Sequence, residues 1–168
     1  MTRADMQREI SRAADILGVQ PQWLEALIRF ESNYDPRAVN RYSGACGLIQ
    51  VTNTTARDVF HAESAAALVE KFPTFTSQID NIVIPYLSRY APFPTQQSLY
   101  MAIFYPKYRR VAPTTEFPDS VAAINPGIKT VSDYVALVNR RLDPAFVKGG
   151  VAFMLMLALC LLYYYRKG

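Results

Sequence analysis

Residues 23–50 read WLEALIRFESNYDPRAVNRYSGACGLIQ, and the rest of the chain is best read outward from this stretch. Trp23, Leu24, Leu27, Ile28 and Phe30 recur at helical spacing, and Pro21 stands where a first helical turn tolerates the missing N–H. Glu31 follows Leu24, Leu27 and Ile28 by seven, four and three residues, so it shares their apolar face. A carboxylate in that position must be neutral, paired or used in chemistry, because an unpaired charge is costly away from water. The alternative is a glutamate at the helix end, turned to solvent or bridged to Arg29 or Arg37. After Asn33, the Pro, Asn, Ser and Gly content predicts a long ordered loop in which Asp35, before Pro36, starts a turn. Gly44 and Gly47 bracket Ala45 and Cys46, which predicts backbone that is tightly packed or bent through positive φ and able to approach a ligand. An ordinary loop with two glycines is the bland reading of the same residues.

Upstream, Thr2 and Asp5 have capping-box spacing, and Met6, Ile10, Ala13, Ala14 and Leu17 recur at helical period until Gly18. Downstream, helical patterns run over 52–60, with Ala56 and Val59 inward, and over 64–72. A third covers 77–90, with Ile79, Ile82, Val83, Tyr86 and Leu87 inward and a kink at Pro85. Thr95 caps a further helix with Leu99, Ala102 and Ile103 inward, and Pro106 ends it. Pro113, Pro118 and Pro126 break the next segment into loop with one short helix over 120–124. Thr130 and Asp133 form another capping-box pattern, opening the helix that contains Tyr134 and Val135. No stretch alternates like a strand and none repeats, so an all-α fold is expected.

The chain has 168 residues, 51% of them hydrophobic, and 11 prolines, which fits one modest domain of short helices. The net charge of +4 suggests a basic protein, yet Lys148, Arg166 and Lys167 flank the C-terminal apolar run and carry three of those charges. No concentrated basic face is left for a nucleic-acid partner, and none is expected. Lys107, Arg109 and Arg110 beside Tyr105 and Tyr108 suit anionic or sugar groups, or form a solvated basic face. Cys46 and Cys160 sit too differently to predict a disulfide. His61 is the single histidine, so no metal-ligand spacing exists and neither metal nor cofactor is expected.

The first 17 residues lack the apolar core of a secretory signal, so the domain is not expected to use that route by its own start. Residues 151–165 are all apolar or aromatic, and a helix over 149–165 would be about 25 Å long at about 1.5 Å per residue. With Lys148 and Arg166 able to snorkel and Tyr163, Tyr164 and Tyr165 suited to the interface, a short single membrane span is expected. A buried terminal core helix is the alternative, disfavoured because apolar residues lie on every face. Positive residues at both ends, without a leader, point to a virus particle as the means of carrying the domain out of the cell.

The string ESNYDPRAVNRYSGACGLIQVTNTTA resembles the catalytic stretch of the lytic transglycosylase family, of goose-type lysozyme-like fold. Family members show a Glu-Ser pair ending a helix, a proline-bearing loop, Gly-Ala-x-Gly-Leu-Met-Gln, and a Thr-Ala pair opening the next helix. Here these are Glu31 and Ser32, Pro36, then Gly44, Ala45, Gly47, Leu48, Ile49 and Gln50, then Thr55 and Ala56. The family's later Ala-Tyr-Asn is replaced by AIFYP, so Tyr105 takes the Tyr place and Pro106 that of Asn. AIFYP with NPGI resembles the phage-borne branch, and the resemblance covers 22–138. Asn40 stands where a substrate-binding Ser is frequent, in a loop one residue longer.

The resemblance and the C-terminal apolar run together give the expected division: a catalytic domain over 1–144 followed by a C-terminal anchor over 145–168. It implies cleavage of the MurNAc-GlcNAc β-1,4 bond in peptidoglycan glycan strands, with formation of 1,6-anhydroMurNAc. Glu31 would act first as acid and then as base, with a pKa raised by burial. No second carboxylate is well placed, since Asp35 lies in the loop and Glu25 on another helix face, so the substrate's N-acetyl group would stabilise the cationic centre. Ser32, Asn40, Gly47, Leu48, Ile49, Gln50 and Tyr105 would contact substrate or shape its site. The expected setting is a virion membrane, with other virion proteins as partners and the host wall as target. Two alternatives keep the fold: a non-catalytic assembly or peptidoglycan-binding protein, and a goose-type muramidase that releases reducing ends.

Overall fold

The computed structural model describes residues 1–140. Thr2 and Asp5 close a reciprocal capping box, and α1, Arg3–Leu17, runs until Gly18 takes a left-handed φ of 67°. Helix α2, Pro21–Ser32, starts at its proline and buries Leu24, Ala26, Leu27, Ile28 and Phe30. The side-chain oxygens of Thr52 and Ser64 cap α3, Asn53–Phe60, and α4, Ala65–Lys71, by accepting backbone N–H groups of the first turn.

The helix expected over 77–90 forms in three pieces: α5, Phe75–Gln78; a π-helical turn, Ile79–Val83; and α6, Ile84–Ser88. Pro85 has no N–H for the ladder, and the Ile84 N–H reaches back five residues to the Ile79 carbonyl. The widened turn keeps Ile79, Ile82 and Val83 buried together, in place of a simple proline kink.

Helix α7, Gln96–Phe104, carries a capping box between Thr95 and Ser98. The expected single inward face is replaced by burial on nearly every side: Ser98, Leu99, Tyr100, Met101, Ala102 and Phe104 are all buried, while Ile103 is half-buried. The physical reason is position, because α7 is enclosed by its neighbours and has no solvent side to keep polar. A 3-10 turn, Pro106–Tyr108, follows, then α8, Asp119–Ile124, where a short helix was expected. The final described helix, α9, Val131–Arg140, opens on the reciprocal bonds between Thr130 and Asp133.

Among the described residues the fold is all-α, with isolated bridges Val39 to Cys46, Cys46 to Val51 and Glu116 to Thr130 but no strand. Helix α2 packs against α1, α7 and α9, and α1 also packs against α5, the π turn and α6. Helix α2 is therefore held from several directions. No helix among the described residues is long and apolar enough to cross a membrane. The span expected over 149–165 lies outside the described residues.

Candidate active site

The apolar periodicity of α2 delivers Glu31 into the core. Leu24, Leu27 and Ile28 on the same face are fully buried, and Glu31 is only 5% exposed. The solvent-facing alternative is therefore excluded, and among the described residues neither Arg29 nor Arg37 forms an ion pair with Glu31. The Tyr134 hydroxyl of α9 donates to Glu31 Oε1 at 3.3 Å, long for an O–H···O bond. Tyr134 is itself fully buried. Its ring stacks on Phe104 of α7, with centroids 4.1 Å apart, and meets Phe30 of α2 edge-on at 5.8 Å. Three helices thus fix the tyrosine that meets the acid.

Beyond Glu31 the chain reverses at once. Asn33 and Tyr34 both take left-handed backbone, with φ of 51° and 67°. Asn tolerates this region and a tyrosine rarely enters it, so Tyr34 is a strained position at the end of the acid's helix. Its hydroxyl donates to Glu25 Oε1 at 3.0 Å, and the Arg3 guanidinium lies 5.8 Å from its ring centre. Burial, with the Glu25 carboxylate second, pushes the Tyr34 hydroxyl up to about 12. Glu25 is thereby committed on a different face of α2. Asp35 is also committed, its Oδ1 accepting the Arg37 N–H at 2.8 Å.

The glycine loop is held by its own hydrogen bonds. Asn40 Oδ1 accepts the N–H groups of Tyr42 and Ser43 at 3.0 and 3.2 Å. Its backbone exchanges bonds with Ala45 and Gly44. Cys46 bridges to both Val39 and Val51. Its thiol meets the Gly44 carbonyl, and burial pushes its pKa up. Gly47 has φ of 80°, and a Cβ there would lie 2.6 Å from Gln78 Oε1, so two independent reasons exclude a side chain. Gln78, fully buried at the end of α5, accepts the Leu48 N–H on Oε1 at 2.9 Å and donates from Nε2 to the Pro36 carbonyl at 2.6 Å.

The expected site residues are accordingly distributed. Ser32 is buried, and its hydroxyl donates to the Ile28 carbonyl at 3.0 Å, while its own carbonyl receives the Asp35 N–H. The side chains of Leu48 and Ile49 belong to the core. The N–H groups of Gly47, Leu48 and Gln50 bond to Ala38, Gln78 and Gly47 respectively. Gln50 lies half-buried at φ 49°, with Nε2 turned to the Gly47 and Ala38 carbonyls. Its amide nitrogen is thereby committed within the loop. Tyr105 ends α7, packed edge-on against Tyr108 at 4.7 Å and Phe117 at 5.8 Å. Phe117 meets Phe104, the ring on which Tyr134 stacks, so Tyr105 belongs to the aromatic cluster behind the acid's tyrosine. Arg109 lies over the Tyr90 ring at 4.7 Å and donates to the Pro106 carbonyl, which makes it a packing element of this end.

Two residues of this arrangement escape a reading of the sequence. Tyr134 lies in a helix that the Thr130–Asp133 box announces, but no sequence signal pairs its hydroxyl with Glu31. Gln78 reads as a polar residue on a helix surface, and only the π turn after it carries a signal, through Pro85. A separate cleft of about 400 Å³ between α3, α4 and the π turn is lined by Phe60, His61, Lys71 and Asp80, and Glu31 does not border it. Among the described residues no His, Cys, Asp or Glu cluster suits a metal ion.

A buried acid at a helix end, followed by a glycine loop in an all-α domain, is the arrangement of lysozyme-like enzymes. Residues 8–90 match the family model of the transglycosylase SLT domain, which supports a lytic transglycosylase of the SLT, lysozyme-like type. The matched segment runs from α1 to the end of α6, including Glu31, the glycine loop and Gln78, and stops before Tyr105 and Tyr134. No curated protein and no solved structure matches the chain.

Proposed function

We propose that this protein is a peptidoglycan lytic transglycosylase that cleaves the MurNAc-GlcNAc β-1,4 bond and releases 1,6-anhydroMurNAc ends. The observation that carries the reading is the burial of Glu31 beneath Tyr134 inside the segment matched to the SLT family. The family's substrate class is peptidoglycan. Glu31, protonated, gives its proton to the glycosidic oxygen as the bond to the MurNAc anomeric carbon breaks. The neighbouring N-acetyl carbonyl stabilises the cationic carbon, which suits a site whose other nearby carboxylates, Glu25 and Asp35, are committed to Tyr34 and the Arg37 N–H. The MurNAc 6-hydroxyl then attacks that carbon and returns a proton to Glu31, so no water is consumed. Tyr134 holds Oε1 of the acid, and Gln50 Oε1 with the exposed parts of the loop contacts the sugars.

Mass spectrometry of sacculi digested by the wild type and by Glu31→Gln tests this reading. Anhydro ends from the wild type and none from the variant are expected. Reducing ends would make the protein a muramidase, and sacculus binding with no soluble product would make it a binding protein.

The same proposal places the catalytic domain in 1–144 and a membrane anchor in 145–168, on the strength of the apolar run over 151–165. It sets the enzyme in a virion membrane acting on a host wall, supported by the resemblance of AIFYP and NPGI to the phage-borne branch. The full chain is expected to float with liposomes and a chain ended at residue 144 to stay at the bottom of the gradient. Equal sedimentation of both would remove the anchor from the proposal.

A further inference from the structure

We infer that Gln78 is a positioning residue for glycan binding, a clasp that sets the spacing between the two limbs of the glycine loop. The inference rests on the transglycosylase reading for its consequence and on geometry for its substance. The loop leaves α2 directly after the acid and returns at α3, so its outgoing limb passes Pro36 and its returning limb passes Leu48. Gln78 bridges these limbs with one amide, Nε2 to the Pro36 carbonyl and Oε1 from the Leu48 N–H. Its two partners lie 42 and 30 residues away in sequence, and the side chain is fully buried. A buried amide satisfied at both ends fixes the distance between what it joins, because losing either bond strands a polar group out of water.

Three neighbouring features belong to the same device. Gly47, next to Leu48, has a φ of 80° and leaves no room for a side chain while Gln78 holds its place, because a Cβ there would lie 2.6 Å from Gln78 Oε1 and 3.0 Å from Val69 of α4. The Gly47 N–H bonds to the Ala38 carbonyl and Gln50 Nε2 to the Gly47 carbonyl, so the clasp at Leu48 is continuous with the bonds that aim Gln50. The π turn starts one residue after Gln78, giving the amide a base in the packed wall of α1, α5 and α6. Gln78 makes no hydrogen bond to Glu31 and belongs to a different helix, so its effect falls on binding of the glycan more than on proton transfer.

The experiment compares Gln78→Glu and Gln78→Met with the wild type and Glu31→Gln in the full-length protein. A protonated carboxyl reproduces the amide: its carbonyl accepts the Leu48 N–H and its O–H donates to the Pro36 carbonyl. Ionised, it turns a negative oxygen toward that carbonyl. Relative to the wild type at each pH, Gln78→Glu should therefore bind and cleave glycan normally in acid and lose function as pH rises through the titration of the introduced carboxyl. At neutral pH KM should rise about tenfold, as expected for one lost buried hydrogen bond, with kcat changed much less. Gln78→Met should show the raised KM at every pH.

Two readouts hold whether or not the protein is a transglycosylase: hydrogen exchange of the Leu48 amide and affinity for purified sacculi. Both should weaken in Gln78→Met and, above the titration only, in Gln78→Glu. A wild type that makes no product would sink the transglycosylase reading while these two still judge the clasp. The clasp is overturned if Leu48 exchange and sacculus affinity are unchanged in folded variants. It is equally overturned if kcat falls in proportion to the unfolded fraction with KM constant.

Discussion

At the scale of single residues, the candidate site is one buried acid met by a tyrosine from the other end of the described chain. The Tyr134 hydroxyl approaches Glu31 at 3.3 Å, while its ring is fixed independently by Phe104 and Phe30. Tyr134→Phe separates these roles, because it keeps the stack and removes the bond. Thermal stability should change by no more than about 1 kcal/mol, as for a single modest hydrogen bond. Release of soluble muropeptides should fall by about tenfold or more if that bond orients the acid. An unchanged rate would show that the tyrosine serves packing alone. Glu31 is legible in the amino-acid sequence, since its spacing from Leu24, Leu27 and Ile28 forces it onto the apolar face. Tyr134 is not, because an aromatic in an apolar helix has the same pattern whether it fills the core or meets an acid 103 residues away. Gln78 is hidden for the opposite reason, as a polar side chain whose burial follows only from the π turn beside it.

Among the elements, α9 carries the clearest dependence on its cap. The Thr130 backbone N–H donates to the Asp133 carboxylate, as do the Thr130 hydroxyl and the Lys129 N–H, and together they hold its pKa below the ordinary 3.8. A carboxyl whose folded pKa is depressed stabilises the native state above its unfolded pKa, about 3.9, and loses that contribution as pH falls through the folded value. Unfolding temperature and wall-lytic activity of the wild type should therefore drop together below about pH 4. Asp133→Asn should have a lower unfolding temperature near neutrality and a shallower decline in acid; parallel curves would assign the acid limb to other groups. The caps of α1, α7 and α9 are readable from Thr2, Thr95 and Thr130, because such signals lie within one turn of sequence. The division of residues 75–88 into α, π and α segments is not, since proline's lost N–H can be absorbed by a kink or by a widened turn. Packing against α1 holds the turn that keeps Ile79, Ile82 and Val83 inside.

For the whole molecule, the segment matched to the SLT family supplies the acid and its loop, while the tyrosine that meets the acid comes from beyond it. A chain ended at residue 125 keeps residues 8–90 intact but removes Val131, Tyr134 and Val138 from the core and uncovers Phe104. It should lose cooperative unfolding by circular dichroism and all lytic activity; a folded, active fragment would show that α9 is dispensable. By itself the sequence determined the all-α class, the helix that carries Glu31 and the caps that start α1, α7 and α9. These rest on periodicity and on contacts within a few residues, which sequence spacing encodes directly. The tertiary structure alone decided that Tyr134 meets Glu31, that Gln78 joins Pro36 to Leu48, and that Tyr105 sits behind the acid's tyrosine. The hydrogen bonds among these join residues 30, 42 and 103 positions apart in the chain. Packing settles such contacts: a buried polar group must find a partner, and which partner lies within reach depends on how the helices close around it.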